Sequence, residues 1–142
     1  MSPTSRPESE SWTVLYDRDC GFCRWSLGVL LRADRRRRLR PVALQTPEAD
    51  ALLADLTPEQ RMASWHLISP AGRRESAGAA LPTAVWLLPG GQLPARALAG
   101  VPAVNERAYR WVAEHRSGLG RVIPAAAKDR ADERIARRSQ EG

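Results

Sequence analysis

At 142 residues, 43% hydrophobic and 27% charged, the chain is sized for one domain that can build its own core. Its 10 glycines and 11 prolines are too few for a collagen, and its 2 cysteines too few for a disulfide-braced secreted scaffold. The net charge is +6, almost wholly through arginine, but the arginines spread along the chain with little aromatic interleaving, so nucleic acid is not an expected partner.

Residues 1–10, rich in Ser, Pro and charge, are expected to be a disordered leader without the apolar core of a secretory signal. Trp12-Thr-Val-Leu-Tyr16 is a β-branched and aromatic run that predicts a buried strand. Asp17-Arg-Asp19 supplies turn chemistry, and from Gly21 the apolar spacing becomes helical through Phe22, Trp25 and Val29, with Leu27, Leu30 and Leu31 beside them. This helix is expected to end near Ala33, with Arg35 to Arg38 forming a solvated run beyond its negative end.

Leu39 to Leu44 predicts a second strand, with Pro41 placing it near an edge or at its start. Pro47 to Leu56 predicts a short helix, and Thr57-Pro-Glu-Gln60 another helix start. Trp65 to Ile68 and Arg73 to Ser76, joined by Ser69-Pro-Ala-Gly72, read as a hairpin. Ala77 to Leu88 is expected to be helical with a break at Pro82, ended by Pro89-Gly-Gly91. It contains the longest apolar stretch, Ala79 to Leu88, far short of the roughly 20 residues of a membrane span.

Asn105 is expected to cap a helix from Glu106 to about Arg116, ended by Gly118 and Gly120. Residues 122–142 are expected to be a charged tail, either a frayed helix or disordered. The expected core is Val14, Leu15, Trp25, Leu30, Val42, Leu67 and Val112, and the five tryptophans read as packing groups. Strand, helix, strand, helices, hairpin and helices give α/β order.

The chemistry concentrates in Asp17-Arg-Asp-Cys20-Gly-Phe-Cys23, after a strand and at the mouth of a helix. Two cysteines two residues apart on a first helical turn can close a small disulfide. A helix N-terminus stabilises the thiolate nearest to it, and the thiolate is the form that attacks disulfides. Cys20 is therefore the expected attacking thiol and Cys23, one turn in, the resolving thiol. Asp17 reads either as a general base for the second thiol or as a carboxylate capping the turn. Zinc is the rival for a cysteine pair, but His66 and His115 are far from finger spacing, which leaves only a site shared between chains. His66 is expected to be a packed core histidine and His115 a surface group. With no membrane span expected and a cysteine usage typical of reducing compartments, a cytoplasmic setting is expected.

The stretch Tyr16-Asp-Arg-Asp-Cys-Gly-Phe-Cys23 resembles the signature of the DCC family of thiol-disulfide oxidoreductase-like proteins. Leu39 to Leu44, Trp65-His-Leu-Ile-Ser-Pro-Ala-Gly72, and Tyr109 with Arg116 extend the resemblance over about residues 12–121. It implies a single thioredoxin-like domain at 11–121, with a small mixed sheet flanked by helices and disordered ends. It also implies the motif residues Asp17, Cys20 and Cys23. Arg18 stands where the family usually has Gly, and Ala77-Gly-Ala-Ala80 lacks the family's acidic residue. Met62-Ala-Ser64 offers no proline where thioredoxin-like folds generally carry a cis-proline.

The expected activity is thiol-disulfide exchange with a protein or small-molecule disulfide, using no cofactor and no metal but requiring an electron donor. The rivals are a non-catalytic interaction module, holding an acidic partner on its arginine-rich face, and an intermolecular zinc site.

Overall fold

The computed structural model describes residues 11–141; the expected leader at 1–10 lies outside the described residues. Four strands, β1 (Trp12–Tyr16), β2 (Leu39–Ala43), β3 (His66–Ile68) and β4 (Arg74–Ser76), form one mixed sheet in the order β2-β1-β3-β4. β1 pairs parallel with β2 and antiparallel with β3, and β3 pairs antiparallel with β4. The domain is α/β with a small mixed sheet and flanking helices, as the thioredoxin-like resemblance implies. Pro41, which has no N–H to give a ladder, sits on edge strand β2.

Alternation along β1 sends Val14 and Leu15 to opposite faces, and each face builds its own core. Val14 and Leu67 pack with Leu27 and Leu31 of α1 (Gly21–Ala33). Leu15, Val42 and Ile68 pack with Ala49 of α2 (Pro47–Leu52) and with Leu53. Helix α3 (Pro58–Met62) follows, held by a reciprocal capping box between Thr57 and Gln60. After the hairpin, a 3-10 turn (Ala77–Ala80) runs into α4 (Leu81–Trp86), which puts Pro82 in the first turn of a helix, where its missing N–H costs nothing. Then come α5 (Gln92–Ala99), α6 (Pro102–Val122) and α7 (Ala125–Glu141). Among the described residues no helix is long and apolar enough to cross a membrane.

Several expectations need correction. Asn105 does not cap α6; it lies inside the helix, buried, and its side-chain amide donates to the Leu98 carbonyl at 2.7 Å. Val101 precedes the first turn, and Pro102 supplies the start signal. Gly118 and Gly120 do not end the helix. Gly120 is buried on α6, and a Cβ there would stand 3.3 Å from the Phe22 backbone nitrogen, so the glycine serves close packing on α1. Helix α5 has no counterpart in the sequence reading. Trp86 and Trp111 are exposed, not core: Arg38 lies over the Trp86 ring at 5.6 Å, and His115 stacks on Trp111 at 4.3 Å. Trp25, Leu30 and Val112 are only partly buried, whereas Val14, Leu15, Val42 and Leu67 are core. Arg35, Arg36 and Arg37 are exposed, but Arg38, the last residue of the expected solvated run, is partly buried beside Trp86.

Of the two alternatives for the charged C-terminal segment, the helix is present, and it is docked. Ala131 and Ile135 of α7 are buried, and α7 lies so close to α1 that a Cβ on Gly28 would meet the Ala131 Cβ at 2.5 Å. Arg138 then reaches Asp34, whose side chain is fully buried, at 2.6 Å. The Asp34 carboxylate also accepts the Arg38 and Leu39 backbone N–H groups at 3.1 and 2.9 Å. Thus one carboxylate ties the end of α1, the start of β2 and the end of α7 together.

Candidate redox site at the head of helix α1

Parallel strands β1 and β2 end side by side, with the Leu44 N–H donating to the Tyr16 carbonyl at 2.8 Å. Gln45, the next residue after β2's end pairing, therefore reaches the loop that follows β1. Its amide donates to Asp17 Oδ1 at 2.7 Å, and its carbonyl oxygen accepts the Arg18 N–H at 3.1 Å. Asp17 Oδ1 also accepts the Asp19 N–H at 2.9 Å, an Asx-type turn that delivers Cys20 to the helix start. Gln45 was missed in the sequence. Its position right after the second strand was the available signal, because parallel neighbours of a βαβ unit present their ends together.

Cys20 is the N-cap of α1, in extended conformation (φ −98°, ψ 113°). Its sulfur takes the place a Ser or Asp oxygen usually holds, accepting the Cys23 N–H at 3.3 Å. The Cys23 amide of the first turn thus points at the Cys20 sulfur, at the helix end whose field favours an anion. Both cysteines are free thiols, each partly buried. Burial pushes the Cys23 thiol up to about 12, reinforced by its hydrogen bond with Cys20 and by the Cys20 and Asp17 charges; Arg116 acts the other way.

Asp17 is almost enclosed, its side chain 11% exposed, and its Oδ2 faces Arg116 Nη1 at 3.7 Å. It is therefore a turn-holding carboxylate that also lies within electrostatic reach of Cys23. Tyr109 sits two turns before Arg116 on α6, and its hydroxyl accepts the Trp65 N–H at 2.9 Å, fixing the chain just ahead of β3. Burial raises the Tyr109 phenol to about 12. All peptide bonds among the described residues are trans, and at this site it is Tyr109 that holds the loop before β3. Arg24, on the helix between the cysteines and α7, pairs with Asp132 at 3.5 Å.

The structure brings Asp17, Cys20 and Cys23 to one end of the sheet and leaves the histidines elsewhere. His66 is buried on the face of β3 that it shares with Ile68, opposite the face that packs on α1. Its Nε2 donates to the Arg61 carbonyl at 3.0 Å, so in the neutral ring Nδ1 accepts from the Ser76 hydroxyl at 2.6 Å. Burial lowers its pKa. It is a packed core histidine, as expected, and His115 is a surface group. No group of three or more His, Cys, Asp or Glu side chains suited to a metal ion converges among the described residues.

No curated protein significantly matches the chain, nor does any solved structure. A family model described as DCC1-like thiol-disulfide oxidoreductase matches residues 14–122. That span holds the end of β1 and all of β2, which frame the loop, the cysteine pair, and the Tyr109 and Arg116 face of α6, and it is well over half of the sequence. The chain belongs to the DCC1-like thiol-disulfide oxidoreductase family.

Proposed function

We propose that the protein exchanges electrons with protein or small-molecule disulfides through Cys20 and Cys23. What supports this is the placement of Cys20 at the cap of a 13-residue helix, with the partly buried Cys23 one turn in and donating its N–H to the Cys20 sulfur. In the reducing direction, the Cys20 thiolate attacks one sulfur of the substrate disulfide. That S–S bond breaks, a mixed disulfide forms on Cys20, and the first thiolate leaves and takes up a proton. Cys23 then loses its proton and attacks the Cys20 sulfur. The Cys20–Cys23 disulfide forms and the second substrate thiol departs, so two electrons pass to the substrate.

An external thiol or dithiol donor restores the pair by the reverse exchange. Because the Cys23 thiol is held neutral by burial, it cannot compete for the first attack, and it needs a base for the second. Asp17, whose charge acts on Cys23, is our candidate for that base, and the Asp17–Arg116 contact would hold it in place. We take the setting to be cytoplasmic, where such pairs act as redox groups rather than as braces.

The test is to mix the reduced protein with hydroxyethyl disulfide and weigh the products by mass spectrometry. The wild type should lose two hydrogens, Cys23→Ser should accumulate a one-to-one mixed disulfide, and Cys20→Ser should form none. An adduct on both variants in equal amount, or on neither, would overturn the proposal. An interaction module would keep its function with both cysteines replaced by serine, and a zinc site between chains would appear in metal analysis of purified protein.

A further inference from the structure

Beside Cys23 the fold leaves a cavity of about 340 Å³ between β1, α1, α4 and α6. Its walls are Phe22, Leu27 and Leu30 from α1, Trp65 ahead of β3, Val85 from α4 and Val112 from α6. From Phe22 to Leu30 it runs along eight helical rises, roughly 12 Å at 1.5 Å each. Protein interiors seldom leave voids larger than a water, and apolar cavities of about 150 Å³ already take benzene-sized ligands. This one falls within the lower range of small-ligand sites, about 300–1,000 Å³. It is therefore large enough to be a site rather than a packing defect.

Its position gives the chemistry. Cys23 lies on its wall, with Arg116 and Tyr109 near the same thiol. Of the polar side chains there, Arg116 faces Asp17 at 3.7 Å, Tyr109 holds the Trp65 N–H and Ser26 donates to the Cys23 carbonyl at 3.1 Å, while the Tyr16 phenol also lies on the wall. What is left for a ligand is aromatic and branched aliphatic surface ending at a thiol. A cation entering there would meet Arg116, and an anion would have to share Arg116 with Asp17, which faces it at 3.7 Å, so the mainly apolar wall favours a neutral group.

We infer that this cavity binds the apolar group of a neutral organic disulfide, seating the substrate's sulfurs beside the Cys20–Cys23 pair. The inference rests on the redox reading and names its substrate class. The electron balance is the exchange above: the apolar R–S–S–R′ accepts two electrons and two protons and leaves as two thiols. The dithiol becomes a disulfide in the same reaction.

The experiment compares two neutral disulfides of similar leaving group, dibenzyl disulfide and the small polar hydroxyethyl disulfide, as oxidants of the reduced full-length chain. Each is tested on the wild type and on the cavity-filling variants Ala113→Leu and Val85→Phe. Wild type should react at least about tenfold faster with dibenzyl disulfide, the advantage that burying one apolar ring provides. Either filling variant should lose that preference while keeping the wild-type rate with hydroxyethyl disulfide, which also reports that it has folded. Equal wild-type rates with the two disulfides, or filling variants that retain the preference or slow both reactions alike, would overturn the inference. Oxidation by neither disulfide would overturn the redox reading along with it.

Discussion

Replacing Arg138 by alanine should cost this fold about 3 kcal/mol. The Arg138 guanidinium reaches Asp34 Oδ2 at 2.6 Å, and the Asp34 side chain is fully buried while that of Arg138 is 12% exposed. Arg138 also donates to the carbonyls of Leu39, Leu31 and Asp34 itself, at 3.1, 3.2 and 3.3 Å. Removing one partner of a buried pair typically costs about 3–5 kcal/mol, because the other charge is left uncompensated. Asp34 would keep its two backbone donors, which places the loss at the lower end of that range. For a chain of this length that corresponds to a fall in Tm of roughly 10–15 °C. Urea unfolding followed by circular dichroism measures it, and Arg138→Met, which preserves the apolar stem against α1, separates charge from packing. A loss below about 1 kcal/mol in Arg138→Ala would refute the idea that Arg138 straps α7 to the start of β2.

Tyr109→Phe removes the acceptor of the Trp65 N–H and should cost about 1–3 kcal/mol in the same unfolding assay, the penalty of an orphaned donor. Cys23 and Tyr109 both titrate higher in the fold than their ordinary values of 9.0 and 10.0, so the unfolded chain loses these protons first. Stability should therefore fall from about pH 9 upward toward 12, and Cys23→Ala with Tyr109→Phe should flatten that limb. His66 is lowered from 6.5, so the unfolded chain binds that proton first. Stability should fall as pH drops below about 6.5, and a flat acid limb in denaturant midpoints would contradict its burial as a neutral ring. Asp17→Asn should keep the Gln45 and Asp19 hydrogen bonds through its remaining carbonyl oxygen, yet lengthen the life of the mixed disulfide on Cys20 at least tenfold, at or below the roughly 10²–10⁴ of general-base catalysis. Resolution at the wild-type rate would reduce Asp17 to its turn-holding part.

The parts of the fold legible in the sequence were those written in local chemistry. The run Trp12 to Tyr16, the cysteine-headed helix and the Ser69 to Gly72 hairpin turn each carry their own period or turn residues, and they appear where expected. The long helix α6 was misjudged at both ends because its signals are tertiary. Asn105 looks like a cap but turns its amide to Leu98, and Gly120 looks like a stop but exists to let α6 approach Phe22. Helix α7 is charged along most of its length, and its buried residues are Ala131 and Ile135. Its docking depends on Asp34, 104 residues away in sequence. At the site, Asp17, Cys20 and Cys23 were readable as a contiguous motif, whereas Gln45 could be found only once the two parallel strand ends were known to lie together.

The division of labour between the two thiols is best tested by alkylating the single-cysteine variants with iodoacetamide across a pH series. Cys23→Ser, which retains Cys20, should label faster than Cys20→Ser at neutral pH, because the remaining sulfur caps the helix rather than lying one turn in. Cys20→Ser, which retains Cys23, should stay essentially unlabelled until well above pH 9, since burial, the largest of the causes that raise Cys23, persists in that variant. Superimposable pH profiles for the two variants would contradict the assignment of Cys20 as the attacking thiol and Cys23 as the resolving one.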